Sequence, residues 1–169
     1  LTPSVYAATL VPILQSTGLR VLLEPGRFIV GNAGILVTRV EYVKRTGKKN
    51  FVIVDAAMND LIRPAFYDSY HEIVPLSTRG GARISSDVVG PICESGDYFA
   101  KDRSLPKLGE GDCIALLSAG AYGSVMGSNY NSRPLAAEVL VHGSQSALVR
   151  ERQDVQEIWS GERLPAWLK

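Results

Sequence analysis

One stretch of this chain, Gly-Pro-Ile-Cys-Glu-Ser-Gly-Asp at residues 90–97, sets a thiol among carboxylates: Cys93 stands beside Glu94 and Asp97 follows shortly. The stretch leaves an apolar run for a polar turn, so its thiol is expected to be accessible. Acidic neighbours disfavour the thiolate, which suits Cys93 to give up a proton rather than to attack as a nucleophile. Most free cysteines are buried and inert, and on the octapeptide alone that reading stands slightly ahead. The other cysteine, Cys113 in Asp-Cys-Ile-Ala-Leu-Leu-Ser, is flanked by apolar residues and reads as core.

Three further stretches carry residue types that bind anions. Glu24-Pro25-Gly26-Arg27 ends a short apolar run, a place where α/β folds bind ligands. Gly26 would let the backbone approach an anion and Arg27 offers a fork for phosphate or carboxylate. Taken alone, the tetrapeptide reads rather as a strand-ending turn with a surface arginine. Asn-Asp-Leu-Ile-Arg-Pro-Ala-Phe-Tyr-Asp-Ser-Tyr-His puts Arg63 and Tyr67 one helical turn apart, where they would share a face and grip a carboxylate. A solvated face with a half-buried tyrosine is the plainer alternative. In Ala-Gly-Ala-Tyr-Gly, Gly120 and Gly123 flank Tyr122 and expose a phenol that can donate to a phosphate, although loops are commonly glycine-rich. The two histidines, His71 and His142, read as surface or strand-edge residues.

The elements that must position these groups change character along the chain. Residues 2–18 read as a helix, with Thr2 as N-cap, Pro3 in the first turn and Gly18 as the stop; Pro12 predicts a kink or a break. Residues 19–23 read as a short strand. After Arg27 the texture is β-rich, with alternation over Ile35, Val37, Arg39 and Glu41, and the domain boundary falls near residues 30–35. Phe-Val-Ile-Val-Asp-Ala, His-Glu-Ile-Val-Pro-Leu, Asp-Val-Val-Gly-Pro-Ile-Cys, Asp-Cys-Ile-Ala-Leu-Leu-Ser, Ala-Ala-Glu-Val-Leu-Val-His-Gly and Ala-Leu-Val-Arg-Glu-Arg follow as strands. A helix capped by Asp154 closes the chain. Many short strands with few helices predict a mainly β sandwich or barrel, preceded by the tail of an α/β unit.

Composition excludes several classes. The 169 residues are 46% hydrophobic and 21% charged with a formal net charge of +1, enough for a buried core. Basic and acidic residues are mixed, so neither nucleic acid nor a membrane surface is the expected partner. Two cysteines make no disulfide framework, no zinc-ligand spacing surrounds them, and no metal is expected. The first residues lack the basic and apolar regions of a signal peptide and read as the middle of something larger, in a reducing cytoplasm.

In this order, Glu-Pro-Gly-Arg, Asn-Asp-Leu-Ile-Arg-Pro-Ala-Phe-Tyr-Asp-Ser-Tyr-His, Gly-Pro-Ile-Cys-Glu-Ser-Gly-Asp, Ala-Gly-Ala-Tyr-Gly and Asn-Tyr-Asn-Ser-Arg-Pro-Leu-Ala-Ala-Glu-Val-Leu-Val closely resemble the C-terminal part of bacterial diaminopimelate decarboxylases. These are fold-type III pyridoxal phosphate enzymes related to ornithine and arginine decarboxylases, and the resemblance spans residues 22–155. It implies that residues 1–33 end a cofactor-binding (β/α)8 barrel and that residues 34–169 form the C-terminal β domain. It implies decarboxylation of meso-diaminopimelate to L-lysine. Glu24, Pro25, Gly26 and Arg27 would sit at the phosphate of pyridoxal phosphate, with Arg27 also touching substrate. Arg63, Tyr67 and Glu94 would bind substrate, Tyr122 both substrate and cofactor, and Cys93 would donate the proton. It further implies a homodimer with Cys93 and Glu94 facing the partner's cofactor. The family's cofactor lysine and glycine-rich phosphate loop have no counterpart in this chain, so it would need the N-terminal barrel portion. The distal end of diaminopimelate is an amino acid: Arg63 with Tyr67 suits its carboxylate and Glu94 its ammonium. An ornithine-type substrate would leave Arg63 without a partner. The competing readings are a related decarboxylase acting on ornithine, arginine or carboxynorspermidine, and a non-catalytic β module for binding or dimerisation.

Overall fold

The structure, a computed structural model, describes residues 2–77 and 80–168. It begins with α1 (Pro3–Gln15), capped as expected by the Thr2 hydroxyl accepting from the Val5 amide. The helix runs through Pro12 without a break, because only the amide bond to residue 8 is lost there and the flanking turns remain intact. It ends before Gly18, whose φ of 64° is the left-handed value that glycine adopts at no steric cost. No residue of α1 is buried.

Residues 19–23 form no strand. Their side chains Leu19, Val21, Leu22 and Leu23 are exposed, and an apolar run becomes a strand only when a neighbour takes up its backbone groups. The next segment, expected to be β, instead winds into a one-turn helix α2 (Gly26–Val30) and a 3-10 turn, Gly31–Ala33.

Six strands then build one sheet: β1 (Leu36–Arg45), β2 (Asn50–Val54), β3 (Ile73–Pro75), β4 (Arg83–Val89), β5 (Tyr98–Pro106) and β6 (Cys113–Leu116). Their order is β3-β6-β1-β2-β4-β5, all neighbours antiparallel except β2 and β4. The edge strands approach each other, since Arg103 of β5 donates from Nη1 to the His71 carbonyl ahead of β3 at 2.8 Å. The sheet is therefore a nearly closed barrel, as the mainly β expectation required. Val40, Val52, Val54, Ile73, Val88, Phe99, Leu105, Ile114 and Leu116 fill its interior. Each fully buried side chain of this size contributes roughly 1.5–3 kcal/mol. A separate hairpin, β7 (Glu138–His142) with β8 (Gln145–Arg150), is exposed on both faces. At the end of the chain Asp154 caps a 3-10 turn, Val155–Ile158, through a reciprocal bond with Glu157.

Two further readings differ from the structure. The strand β5 was not foreseen: its Lys101, Asp102 and Arg103 mask the alternation, and its inward residues Phe99 and Leu105 lie far apart. Cys113 is exposed rather than core. It opens β6, where Ile114 takes the inward position and the neighbouring side chain must point out.

Candidate active site

Strand direction decides where the chemistry gathers. Leu36 at the start of β1 faces Leu116 at the end of β6, and Ile73 at the start of β3 faces the same Leu116. Val54 at the end of β2 faces Val40 of β1, while Ile53 pairs with Val89 at the end of β4. The entries to β1, β3 and β5 and the exits from β2, β4 and β6 thus share one rim. Every candidate residue lies on it or leads into it: residues 24–27 before β1, Arg63 and Tyr67 after β2, Cys93 and Glu94 after β4, and Tyr122 after β6.

The segment after β6 is clamped to the 3-10 turn that follows α2. The Ala119 amide donates to Gly34 O at 2.8 Å, the Gly120 amide to Gly31 O at 3.0 Å, and the Ser118 hydroxyl to Asn32 Oδ1 at 2.7 Å. The two backbones lie so close that a Cβ on Gly120 would sit 2.7 Å from the Gly34 nitrogen. This contact, not loop flexibility, is what Gly120 provides. It brings Tyr122, exposed and held at a φ of 57°, to the side of the rim where Arg27 is exposed in the turn of α2. The Gly26 Cβ position is open space, and Arg27 and Tyr122 are donors suited to a phosphate. This donor set fits the phosphate end of pyridoxal phosphate.

Arg63 and Tyr67 lie in α3 (Arg63–Tyr67), a single turn that ends at Asp68 with a φ of 51°. Tyr67 is exposed and stacks its edge near Phe66, while Arg63 is half-buried. The arginine reaches inward to His71, with Nη1 3.5 Å from the imidazole Nε2. His71 is no surface residue: it is 1% exposed, and its Nδ1 lies 2.8 Å from the Leu117 carbonyl. Burial first, and then the guanidinium groups of Arg63 and Arg103, hold its pKa below the usual histidine value. His142, in contrast, is exposed on the hairpin as expected. Only the position of His71 directly ahead of an apolar strand hinted at its inward side chain.

Cys93 is exposed, as is Glu94, and the turn that carries them is organised by Asp97. The buried Asp97 carboxylate accepts from the Met58 amide through Oδ1 and the Ile92 amide through Oδ2, both at 2.7 Å. Burial pushes its pKa above the usual carboxylate value despite these bonds. A Cβ on Gly90 would lie 2.7 Å from Asp97 Cγ, so the glycine makes room for the carboxylate. The bond to Met58 ties the turn to the segment after β2, which Arg133 holds from the other side. Arg133 donates through Nε to Asn59 Oδ1 at 3.0 Å and through Nη2 to Asp55 O at 2.5 Å.

The structure thus gathers these residues in two groups on one rim. Arg27 and Tyr122 are joined to Arg63 and Tyr67 through the backbone of Leu117 and Ser118. Cys93 and Glu94 stand on the loop between β4 and β5, strands that lie next to β2 and β3 on the ring, and α3 packs against β5. A cavity of about 320 Å³ opens beside their turn, walled by Phe51, Val89, Glu94, Tyr98 and Lys101. None of Arg27, Arg63, Tyr67 or Tyr122 reaches it.

Comparisons with known proteins place the sheet in a family. The model of the pyridoxal-dependent decarboxylase C-terminal sheet domain matches residues 5–120. Diaminopimelate decarboxylase of Vibrio cholerae is 51% identical over 161 residues, covering 95% of this chain and 38% of that protein. The Pseudomonas aeruginosa enzyme of the same name is 57% identical over 151 residues, with 89% and 36% covered. Among solved structures, Helicobacter pylori diaminopimelate decarboxylase complexed with L-lysine superposes with a TM-score of 0.81 at 42% identity, covering 95% of this chain and 39% of that one. A Selenomonas ruminantium lysine decarboxylase gives 0.59 at 26% identity, covering 65% and 30%. The chain spans less than two-fifths of the length of these curated relatives. With its nearly closed six-stranded barrel and a family match running from residue 5 to residue 120, the chain belongs to the pyridoxal-dependent decarboxylases, as their C-terminal sheet domain.

Proposed function

We propose that this chain is the C-terminal part of a diaminopimelate decarboxylase, converting meso-diaminopimelate to L-lysine and CO2 at a site shared across a homodimer. The observation that supports the shared site is the cavity beside the Cys93 turn, which Glu94 helps to wall. None of Arg27, Arg63, Tyr67 or Tyr122 lines that cavity, so Glu94 opens onto a space apart from the other proposed substrate contacts of the same copy. A two-fold axis placing the Cys93 turn of one copy against the Arg63 side of the next would assemble two complete sites.

Pyridoxal phosphate, when bound, supplies the electron sink for the pair left by the departing CO2. Residues 24–27 and Tyr122 would hold its phosphate end, and the lysine that carries it would come from the N-terminal barrel. Residues 1–33 would complete that barrel. The exposed apolar side chains of Leu19, Val21, Leu22 and Leu23, in a segment that joins no sheet, support this, because a neighbouring strand would cover them. On the substrate, Arg63 and Tyr67 would grip the distal carboxylate and Glu94 the distal ammonium. The Cys93 thiol, exposed at the tip of its turn, would hold the proton that the product carbon receives. Such an enzyme acts on a small amino acid in the cytoplasm. Among the described residues no helix is long and apolar enough to cross a membrane.

The test is complementation in the complete enzyme. Cys93→Ala and Arg63→Ala should each abolish most activity. Mixed and allowed to exchange subunits, the two variants should recover about a quarter of the wild-type rate, since each heterodimer holds one intact site of two. No recovery despite demonstrated exchange would place both residues in the same subunit's site. An unchanged rate in Cys93→Ala would remove the proton-donor role.

A further inference from the structure

His71 sits between the two segments that carry the substrate-facing side chains, and its hydrogen-bond partners leave one protonation state. The Leu117 carbonyl, 2.8 Å from Nδ1, can only accept, so Nδ1 carries the hydrogen. The Arg63 guanidinium, with Nη1 3.5 Å from Nε2, can only donate, so Nε2 presents its lone pair. The ring is 1% exposed, and water cannot substitute for either partner.

We propose that His71 is a positioning residue for Arg63: its neutral imidazole, anchored on Leu117, accepts from one guanidinium nitrogen and leaves the remaining donors aimed outward at a substrate carboxylate. The inference rests on the reading that Arg63 binds the distal carboxylate. An arginine held by an inward acceptor loses less side-chain freedom on binding than one free in solvent. The anchor also couples the two sides of the cluster. Leu117 donates its amide to Glu72 O at 2.8 Å and precedes Ser118, which holds Asn32 beside α2.

Protonation would reverse the arrangement, setting an N–H against a guanidinium. The charges that face the ring are cationic: Arg63 from α3, and Arg103 from β5, which bonds the His71 carbonyl and lies 4.0 Å from the Tyr70 ring centre. Glu72, on the same segment, takes the Tyr70 hydroxyl. The segment after β6 contributes only the Leu117 carbonyl. Acid should therefore release Arg63 and weaken carboxylate binding.

Two variants separate the two bonds. Asn at position 71 can keep the donor to Leu117 but has no atom at the Nε2 position; Gln can place an acceptor near Arg63 and does not titrate. Calorimetry on the complete enzyme would measure binding of L-lysine, which carries the carboxylate, and of pentane-1,5-diamine, which does not. His71→Asn should weaken L-lysine by about tenfold and the diamine by less than about twofold, whereas His71→Gln should stay within about threefold for both. In the wild type, the preference for L-lysine over the diamine should shrink between about pH 7 and about pH 5, and His71→Gln should abolish that dependence. Unchanged L-lysine affinity in His71→Asn, with Arg63→Ala weakened, would overturn the positioning role and leave the Arg63 reading standing. Unchanged affinity in Arg63→Ala would overturn both. If neither position-71 variant folds, the wild-type comparison decides: a preference flat across that pH range would overturn the proposal.

Discussion

At the scale of single residues, the proposed site rests on buried groups that hold its exposed ones in place. Asp97 is the clearest. Asn in its place would turn one carboxylate oxygen into an amide donor facing a backbone N–H, at a cost of about 1–3 kcal/mol. Asp97→Asn should lower the melting temperature and, in the complete enzyme, cut turnover by displacing Cys93; wild-type turnover would refute this. Asp87 behaves differently with pH. Burial opposes its charge, but the Asp102 amide at 2.7 Å and Lys49 Nζ at 2.8 Å outweigh that and hold its pKa below the usual value. A carboxylate with a lowered folded pKa contributes stability above its unfolded pKa and loses it as pH falls through the folded one. Asp87→Asn should therefore melt earlier than wild type at neutral pH, with the gap closing in acid, as thermal scans across pH would record. Cys93, Glu94, Arg63 and Tyr67 drew attention by residue type, but each alone read more plainly as an ordinary surface or inert residue, and only the family resemblance cast them as a site. Asp97 and His71 were not legible, because a buried polar residue is defined by partners 39 and 46 residues away.

At the scale of elements, short pieces act through what they are clamped to. The helix α2 has one turn and the segment after β6 is irregular, yet together they form a unit because Gly34 and Gly120 allow backbone contact. Gly120→Ala should force the pair apart and destabilise the fold by about 1–3 kcal/mol, with loss of cofactor retention in the complete enzyme. A stable, fully active Gly120→Ala protein would contradict the clamp. Strands β1, β2 and β6 could be read from apolar, β-branched runs. The strand β5 could not, because its outward face is charged and its bulges shift the alternation against β4. Residues 19–23 misled for the opposite reason: apolar content predicts burial, but pairing needs a neighbour.

At the scale of the whole molecule, the barrel separates its two ends. All proposed site residues meet one rim, and α1, residues 19–23 and the β7–β8 hairpin add exposed apolar side chains such as Val5, Leu22, Leu140 and Val149. The mainly β class was legible because strand-forming runs recur along the chain; the shared rim was not, because it follows from strand direction. The opposite rim holds tight turns, among them that of Thr46 and Lys49, closed by a 2.8 Å backbone bond, with open space around Gly47. Loop closure grows slowly with length, so ten added Gly/Ser residues after Gly47 should cost only about 1 kcal/mol and leave turnover unchanged in the complete enzyme. A large loss of rate on that insertion would mean that the two ends are not independent. If the proposed site is confined to one end, the other is free to vary: lineages could lengthen, recharge or decorate these turns without disturbing catalysis, and a fluorophore or tether placed there would report on the enzyme while leaving its site alone.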